Sequence, residues 1–138
     1  VKYMIMTFAS QQDYQAMTGQ PSDQPAWTPE DHAALGAFMR GFTEKLAASG
    51  ELIDAQGLSM PVHSRRVRLQ EGVPVVTDGP YAKSEEVLAG YWVVDCASFD
   101  RAVEIAAGLT HCPGPEEMRA RAYADVRPID EHMPDFEG

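Results

Sequence analysis

The sequence is short of cysteine, of positive charge and of long apolar runs. Its two cysteines, Cys96 and Cys112, form no CxxC pair. With no apolar leader either, they suggest neither a disulfide framework nor export, and point to a reduced, cytoplasmic setting. Eleven basic residues stand against 21 acidic ones, a net charge of −10. Surfaces for nucleic acid or anionic membranes need clustered positive charge, so this balance argues against both. No apolar run approaches the roughly 18 residues of a membrane span, and there is no internal repeat or low-complexity tract. At 138 residues the chain suits one domain, expected over 1–129, followed by an acidic tail over 130–138.

What is present centres on residues 75–95, VVTDGPYAKSEEVLAGYWVVD. Asp78 can accept hydrogen bonds from nearby backbone, Gly79 can take positive φ, and Pro80 fixes φ, so the DGP stretch is a turn between two β-prone runs. From Leu88 onward both faces are apolar. Leu88, Trp92 and Val94 share one with Gly90, while Ala89, Tyr91 and Val93 share the other. Such a strand belongs in the middle of a sheet. Gly90 marks a bulge or a close backbone approach and leaves room beside Tyr91 and Trp92.

Elsewhere, residues 1–9 alternate Tyr3, Ile5 and Thr7 against Met4, Met6 and Phe8, which predicts a second central strand. Residues 10–27 read as a long surface connection, with at most a short helical turn near 13–17. Thr28 and Pro29 open a helix with the stripe Leu35, Phe38, Met39, Phe42 and Leu46, running from about 29 to 49, and Gly50 ends it. Residues 51–57 read as a short strand turning back alongside the first. Residues 63–70 and 73–76 form a hairpin about Glu71-Gly72. Ser98 caps a second helix with the stripe Phe99, Ala102, Val103, Ala106 and Leu109. Residues 110–117 read as loop, and 121–129 as a last strand. Two helices among strands of mixed exposure imply an α+β fold with both main helices on one face of an antiparallel sheet. The other face is too apolar to stay wet, which implies a homodimer.

The run Thr77-Asp78-Gly79-Pro80-Tyr81-Ala82, with Glu86-Val87-Leu88-Ala89-Gly90-Tyr91 after it, resembles the signature of the DGPF group of YCII-related proteins. The likeness extends through Lys2-Tyr3-Met4, Gly57-Leu58, Arg68, the Phe99 helix and Val126-Arg127-Pro128-Ile129. It departs at Tyr81, where the group usually carries Phe, at Lys83-Ser84-Glu85, and in an enlarged segment before the first long helix. The resemblance implies a dimeric ferredoxin-like (YCII-like) α+β fold with a cleft between helices and sheet. It also implies two kinds of function. One is a cofactor-free small-molecule enzyme of lyase, isomerase or dehalogenase type, or a small-ligand binder, using an Asp/His cleft. The other is a regulatory interaction module associated with an extracytoplasmic-function sigma factor.

The residues that bear on this choice are few. His32 stands at the edge of the apolar stripe near a helix N-terminus, where a neutral imidazole serves as acid or base; a solvated first-turn histidine is the plainer reading. Asp78 is the candidate carboxylate, although an aspartate that only caps its own turn needs no substrate. Glu86 precedes the buried strand and points to the same region; two carboxylates divide acid and base work only when a few ångströms apart. Tyr3, Gly90, Tyr91 and Trp92 are the candidate pocket lining, against the commoner role of strand aromatics as core. Arg65, Arg66 and Arg68 suit an anionic group, or simply guard an edge strand. His63, His111, Cys112 and His132 show no known ligand spacing, so no metal is expected.

Overall fold

The computed structural model describes residues 1–131. In chain order its elements are β1 (Lys2–Ala9), α1 (Gln11–Met17), α2 (Pro29–Ala48), β2 (Leu52–Gly57), β3 (Arg65–Gln70), β4 (Val73–Asp78), β5 (Val87–Asp95), α3 (Phe99–Gly108), α4 (Glu116–Arg121) and β6 (Ala124–Pro128). The acidic tail expected from 130 and the candidate ligand His132 lie, from residue 132 on, outside the described residues.

The two strands that are apolar on both faces, β1 and β5, do lie side by side in the centre. The sheet order is β2-β5-β1-β6, with every pairing antiparallel. This is the strand order of a ferredoxin-like α+β sheet. Registers Tyr3↔Val94 and Ile5↔Trp92 place these four side chains on one face, where they join Leu46 of α2 and Ala102, Ile105 and Ala106 of α3 in one buried cluster. Both long helices therefore cover the same face, as the sequence implies.

Local signals set the helix starts. Thr28 Oγ1 accepts from the Asp31 N–H at 3.1 Å while Asp31 Oδ2 accepts from the Thr28 N–H at 2.9 Å, a capping box that satisfies two orphan donors. Ser98 Oγ accepts from the Arg101 N–H at 3.1 Å in the same way. Past the end of α2, Gly50 takes φ +78.

Four expectations are corrected. Residues 51–57 do not run beside the first strand: β2 pairs with β5 on the edge of the sheet. The connection 10–27 contains a seven-residue helix, α1, whose Ser10 cap, Gln11 and Asp13 are buried. In α3 the stripe is rotated, with Ile105 inside and Phe99 and Val103 exposed; positions 102, 105, 106 and 109 are the true 3.6-residue face. Residues 116–121 are helical, so the last strand begins only at Ala124.

The hairpin is separate from the main sheet. Among the described residues, β3 and β4 pair only with each other, in a two-stranded sheet. Their turn has φ +52 at Glu71 and +80 at Gly72, the left-handed pair that matches the twist of a two-residue hairpin. Among the described residues no helix is long and apolar enough to cross a membrane.

Candidate functional site

The end of β1 carries a polar cluster with a buried carboxylate at its centre. Chain direction changes at Ser10, whose Oγ accepts from the Asp13 N–H at 3.2 Å while Asp13 Oδ2 accepts from the Ser10 N–H at 2.9 Å. This capping box draws Asp13 into the interior, where the residue is 3% exposed. A buried carboxylate must be paired, and its other oxygen, Oδ1, accepts from Nη2 of Arg121 at 3.0 Å. Arg121 is the last residue of α4, and its guanidinium also donates to Gln24 Oε1. Its Nη1 lies 3.7 Å from Glu86 Oε1, close enough for charge attraction but too long for a hydrogen bond.

Glu86 has a second partner. The Tyr123 hydroxyl donates to its Oε2 at 2.9 Å, and the Tyr123 ring stacks on Phe8 with centroids 5.4 Å apart. That bond, with desolvation behind it, raises the Tyr123 hydroxyl above the usual tyrosine value, so Tyr123 stays a neutral donor at physiological pH. The cluster is thus one guanidinium between a buried and a half-open carboxylate, with a protonated phenol against the open one.

A hollow of about 290 Å³ lies at the DGP turn, lined by Ser59, Ser64, Tyr81, Val87 and Leu88 among others. Helix α1 pins its walls. The Gln12 N–H donates to the Lys83 carbonyl at 3.2 Å, Gln11 Oε1 accepts from the Val62 N–H at 2.9 Å, and the Tyr14 hydroxyl donates to Leu58 O at 2.8 Å. Burial raises the Tyr14 hydroxyl. A larger open groove of about 530 Å³ runs between α2 and α3 over Phe38, Gly41 and Phe42, with Lys45, Arg101 and His111 on its rim.

The residues singled out from sequence are not brought together. Asp78 ends β4 with its side chain 82% exposed and Oδ1 3.2 Å from Arg65 Nε. His32 is exposed and packs on Trp27, centroids 5.6 Å apart; Trp27 in turn donates to Met118 Sδ at 3.3 Å. Among the described residues no hydrogen bond or ion pair is found between Asp78 and His32. Tyr3 and Trp92 lie in the core, edge-on to Phe99 and Phe42 respectively. Tyr91 points to the opposite face, where its hydroxyl meets Asp54 Oδ2 at 3.4 Å. The room beside Gly90 is filled: an added Cβ would lie 3.1 Å from the Gln56 carbonyl oxygen of β2. Only Glu86 sits in the polar cluster.

Asp13, Arg121 and Tyr123 went unread in the sequence. For Asp13 a signal existed, since Ser10-x-x-Asp13 has capping-box spacing. For Arg121 there was none, because its partner Asp13 is 108 positions away. Among the described residues no group of three His, Cys, Asp or Glu is placed to hold a metal ion.

Two comparisons with known proteins bear on this arrangement. The profile of the YCII-related domain matches residues 1–123. An uncharacterised protein of Rhizobium meliloti (strain 1021) is 28% identical over 104 residues, which cover 75% of this chain and 84% of that protein.

Proposed function

The chain belongs to the YCII-related domain family, and we propose that it is a small-molecule enzyme or binder of the DGPF group whose site is the Glu86–Arg121–Tyr123 cluster. The observation that carries the reading is the position of the Arg121 guanidinium, anchored from behind by buried Asp13 and open on the side of Glu86. Arg121 suits the carboxylate or polarised carbonyl of a small substrate, since its planar fork matches such oxygens. Glu86 then takes a proton from the carbon beside that group. Once protonated, Glu86 no longer needs the Tyr123 bond, and the phenol is free to donate to the charge developing on the substrate oxygen. When Glu86 returns that proton to a neighbouring carbon, the step balances as an isomerisation; in an elimination the bond to a leaving group on the next carbon breaks instead, and Glu86 passes the proton to the departing group.

A thermal-shift and turnover screen of small carboxylates and lactones, on wild type, Glu86→Gln and Tyr123→Phe, tests this. Ligand shifts are expected to persist in Glu86→Gln while turnover falls by about 10²–10⁴-fold, the usual worth of a positioned base. Asp78→Asn and His32→Ala, at exposed positions, are expected to change neither. Shifts and turnover untouched by Glu86→Gln and Tyr123→Phe would remove the cluster from consideration.

Two further parts of the reading concern setting and partners. The free cysteines, Cys96 buried and Cys112 half-buried, support a reducing cytoplasmic environment. The outer sheet face, with Met4, Met6, Tyr91 and Val93 central and Asp54, Asp95 and Asp125 around them by register, supports pairing of two copies: an apolar centre with a polar rim is the anatomy of an interface. The regulatory alternative, partnership with a sigma factor, rests on the net charge of −10, which suits a basic partner. It gains if no compound shifts the protein and a sigma factor co-purifies with it.

A further inference from the structure

We infer that Gln24 holds the place of a ligand oxygen on Arg121, and that residues 19–26 form a strap over the site which a ligand has to lift. The inference rests on the reading of Arg121 as the ligand's anchor, proposed above, and adds what guards that anchor.

The donors of the guanidinium set up the competition. Nη2 carries two N–H bonds; one donates to Asp13 Oδ1 at 3.0 Å and the other to Gln24 Oε1. Nη1 lies 3.7 Å from Glu86 Oε1, beyond hydrogen-bonding distance. A carboxylate or carbonyl that engages both nitrogens of the fork therefore needs a hydrogen now held by Asp13 or by Gln24. The two holders are unequal. Asp13 is buried and fixed by its capping box with Ser10, so taking the guanidinium from it would strand a charge in the interior. Gln24 is half-buried and neutral, and its amide oxygen regains a partner from water on release. Nor is Gln24 needed to balance charge, because Asp13 and Glu86 both face Arg121. What it supplies is a carbonyl-type oxygen where a ligand's oxygen would sit.

The strap is built to move. No residue of 18–26 is buried. At one end Gly19, just past the Thr18 cap of α1, takes φ +77. At the other, the Trp27 indole donates to Met118 Sδ at 3.3 Å and packs so closely on Gly114 that an added Cβ there would lie 3.1 Å from Trp27 Cη2. Between these ends Pro21 and Pro25 stiffen the backbone. The strap's side-chain bonds to α1 are polar and exchangeable with water: Ser22 Oγ donates to the Gln12 carbonyl at 2.7 Å, and Gln12 Nε2 to Asp23 Oδ2 at 3.3 Å. A segment with few buried contacts opens at low cost, and residues at element ends absorb the backbone change. The strap also filters ligands. A hydroxyl, a poorer acceptor than an amide oxygen, does not displace Gln24, whereas a carboxylate or a polarised carbonyl does.

Titration of the full chain with acetamide, followed by NMR at the side-chain N–H resonances of Arg121, provides the test on wild type, Gln24→Ala and Gln24→Glu. Acetamide is uncharged, so the new carboxylate of Gln24→Glu acts on it by competition and not by repulsion. Circular dichroism checks that the variants, altered outside the core, keep the fold. Gln24→Ala is expected to tighten acetamide binding about three- to tenfold, since the strap no longer competes. Gln24→Glu is expected to weaken it by about as much, because a charged oxygen holds the guanidinium more firmly. Opposite signs mark competition; a Gln24 that only supports the fold would shift both variants the same way. In wild type, saturating acetamide is expected to speed amide exchange in 19–26, because the strap is lifted. Equal binding at Arg121 in all three proteins, or slower exchange in 19–26, overturns the inference and leaves Arg121 as the anchor. Binding lost in both variants overturns it too and makes Gln24 a ligand contact. No response of Arg121 in any of the three overturns strap and anchor together.

Discussion

Glu51 shows how single side chains tie the elements together. Both of its oxygens accept from Arg101, Oε2 from Nε and Oε1 from Nη2, each at 2.9 Å, and Ser49 Oγ donates to Oε1 at 2.8 Å. The Arg101 bonds, with Ser49 second, hold the Glu51 carboxyl at about 2, well below its ordinary 4.5. A carboxylate depressed in the folded state contributes stability above its unfolded value and loses it as pH falls through the folded one. Denaturant titrations at a series of pH values are therefore expected to show a loss between about pH 4.5 and 2, shallower in Glu51→Gln; identical acid limbs would show that the pair contributes nothing. Gly90 is the second residue whose role is steric. Gly90→Ala is expected to cost about 1–3 kcal/mol in unfolding free energy, because the atom its Cβ meets at 3.1 Å is the Gln56 backbone oxygen and not a movable side chain. At this scale the sequence shows what is local. The Thr28 and Ser98 caps and the need for a glycine at 90 were legible, whereas what fills the space at Gly90 and what neutralises Asp13 depend on partners distant in the chain.

The elements divide in the same way. The Glu71-Gly72 turn was legible because Gly72 stands between two β-prone runs at a position that favours positive φ, and α2 because its cap, proline and stripe agree. The partner of β2 was not legible, since an edge strand with little apolar character carries no mark of its neighbour. Helix α4 was hidden behind Pro113 and Pro115, which read as loop although a helix can start just after a proline. The turn also permits a prediction confined to its element. Glu71 holds φ +52 without being Gly, Asn or Asp, the residues that favour it. Glu71→Asn is expected to stabilise the β3–β4 hairpin by about 0.5–1 kcal/mol, read as roughly two- to fivefold slower amide exchange in 65–78, with β1 and β5 amides unchanged. Slowing throughout the sheet instead would mean that the hairpin and the main sheet open as one unit.

For the whole molecule, the strand order β2-β5-β1-β6 has a consequence beyond topology. Placing both long helices on the face of Tyr3, Ile5, Trp92 and Val94 leaves the alternate residues Met4, Met6, Tyr91 and Val93 on the face that, among the described residues, these two helices do not cover. Fold class and the burial of the central strands were legible because both strands are apolar on two sides, and only a central position satisfies that. The candidate site was not, because Glu86, Arg121 and Tyr123 meet only once β6 has docked beside β1. If the bare face is an interface, folding and pairing are coupled, and the melting temperature must rise with protein concentration. Val93→Asp places a charge at the centre of that face, where Val93 lies between Met4 on β1 and Asp54 on β2. Burying this charge unpaired would cost more than pairing returns. The variant is expected to sediment as a monomer and to melt at a temperature independent of concentration, with the sheet's circular dichroism retained. A variant that still sediments and melts as the wild-type dimer would exclude the outer face as the pairing surface. Pairing would then have to come from elsewhere, and the apolar residues of that face would need no partner beyond the flanking strands that already half-bury them.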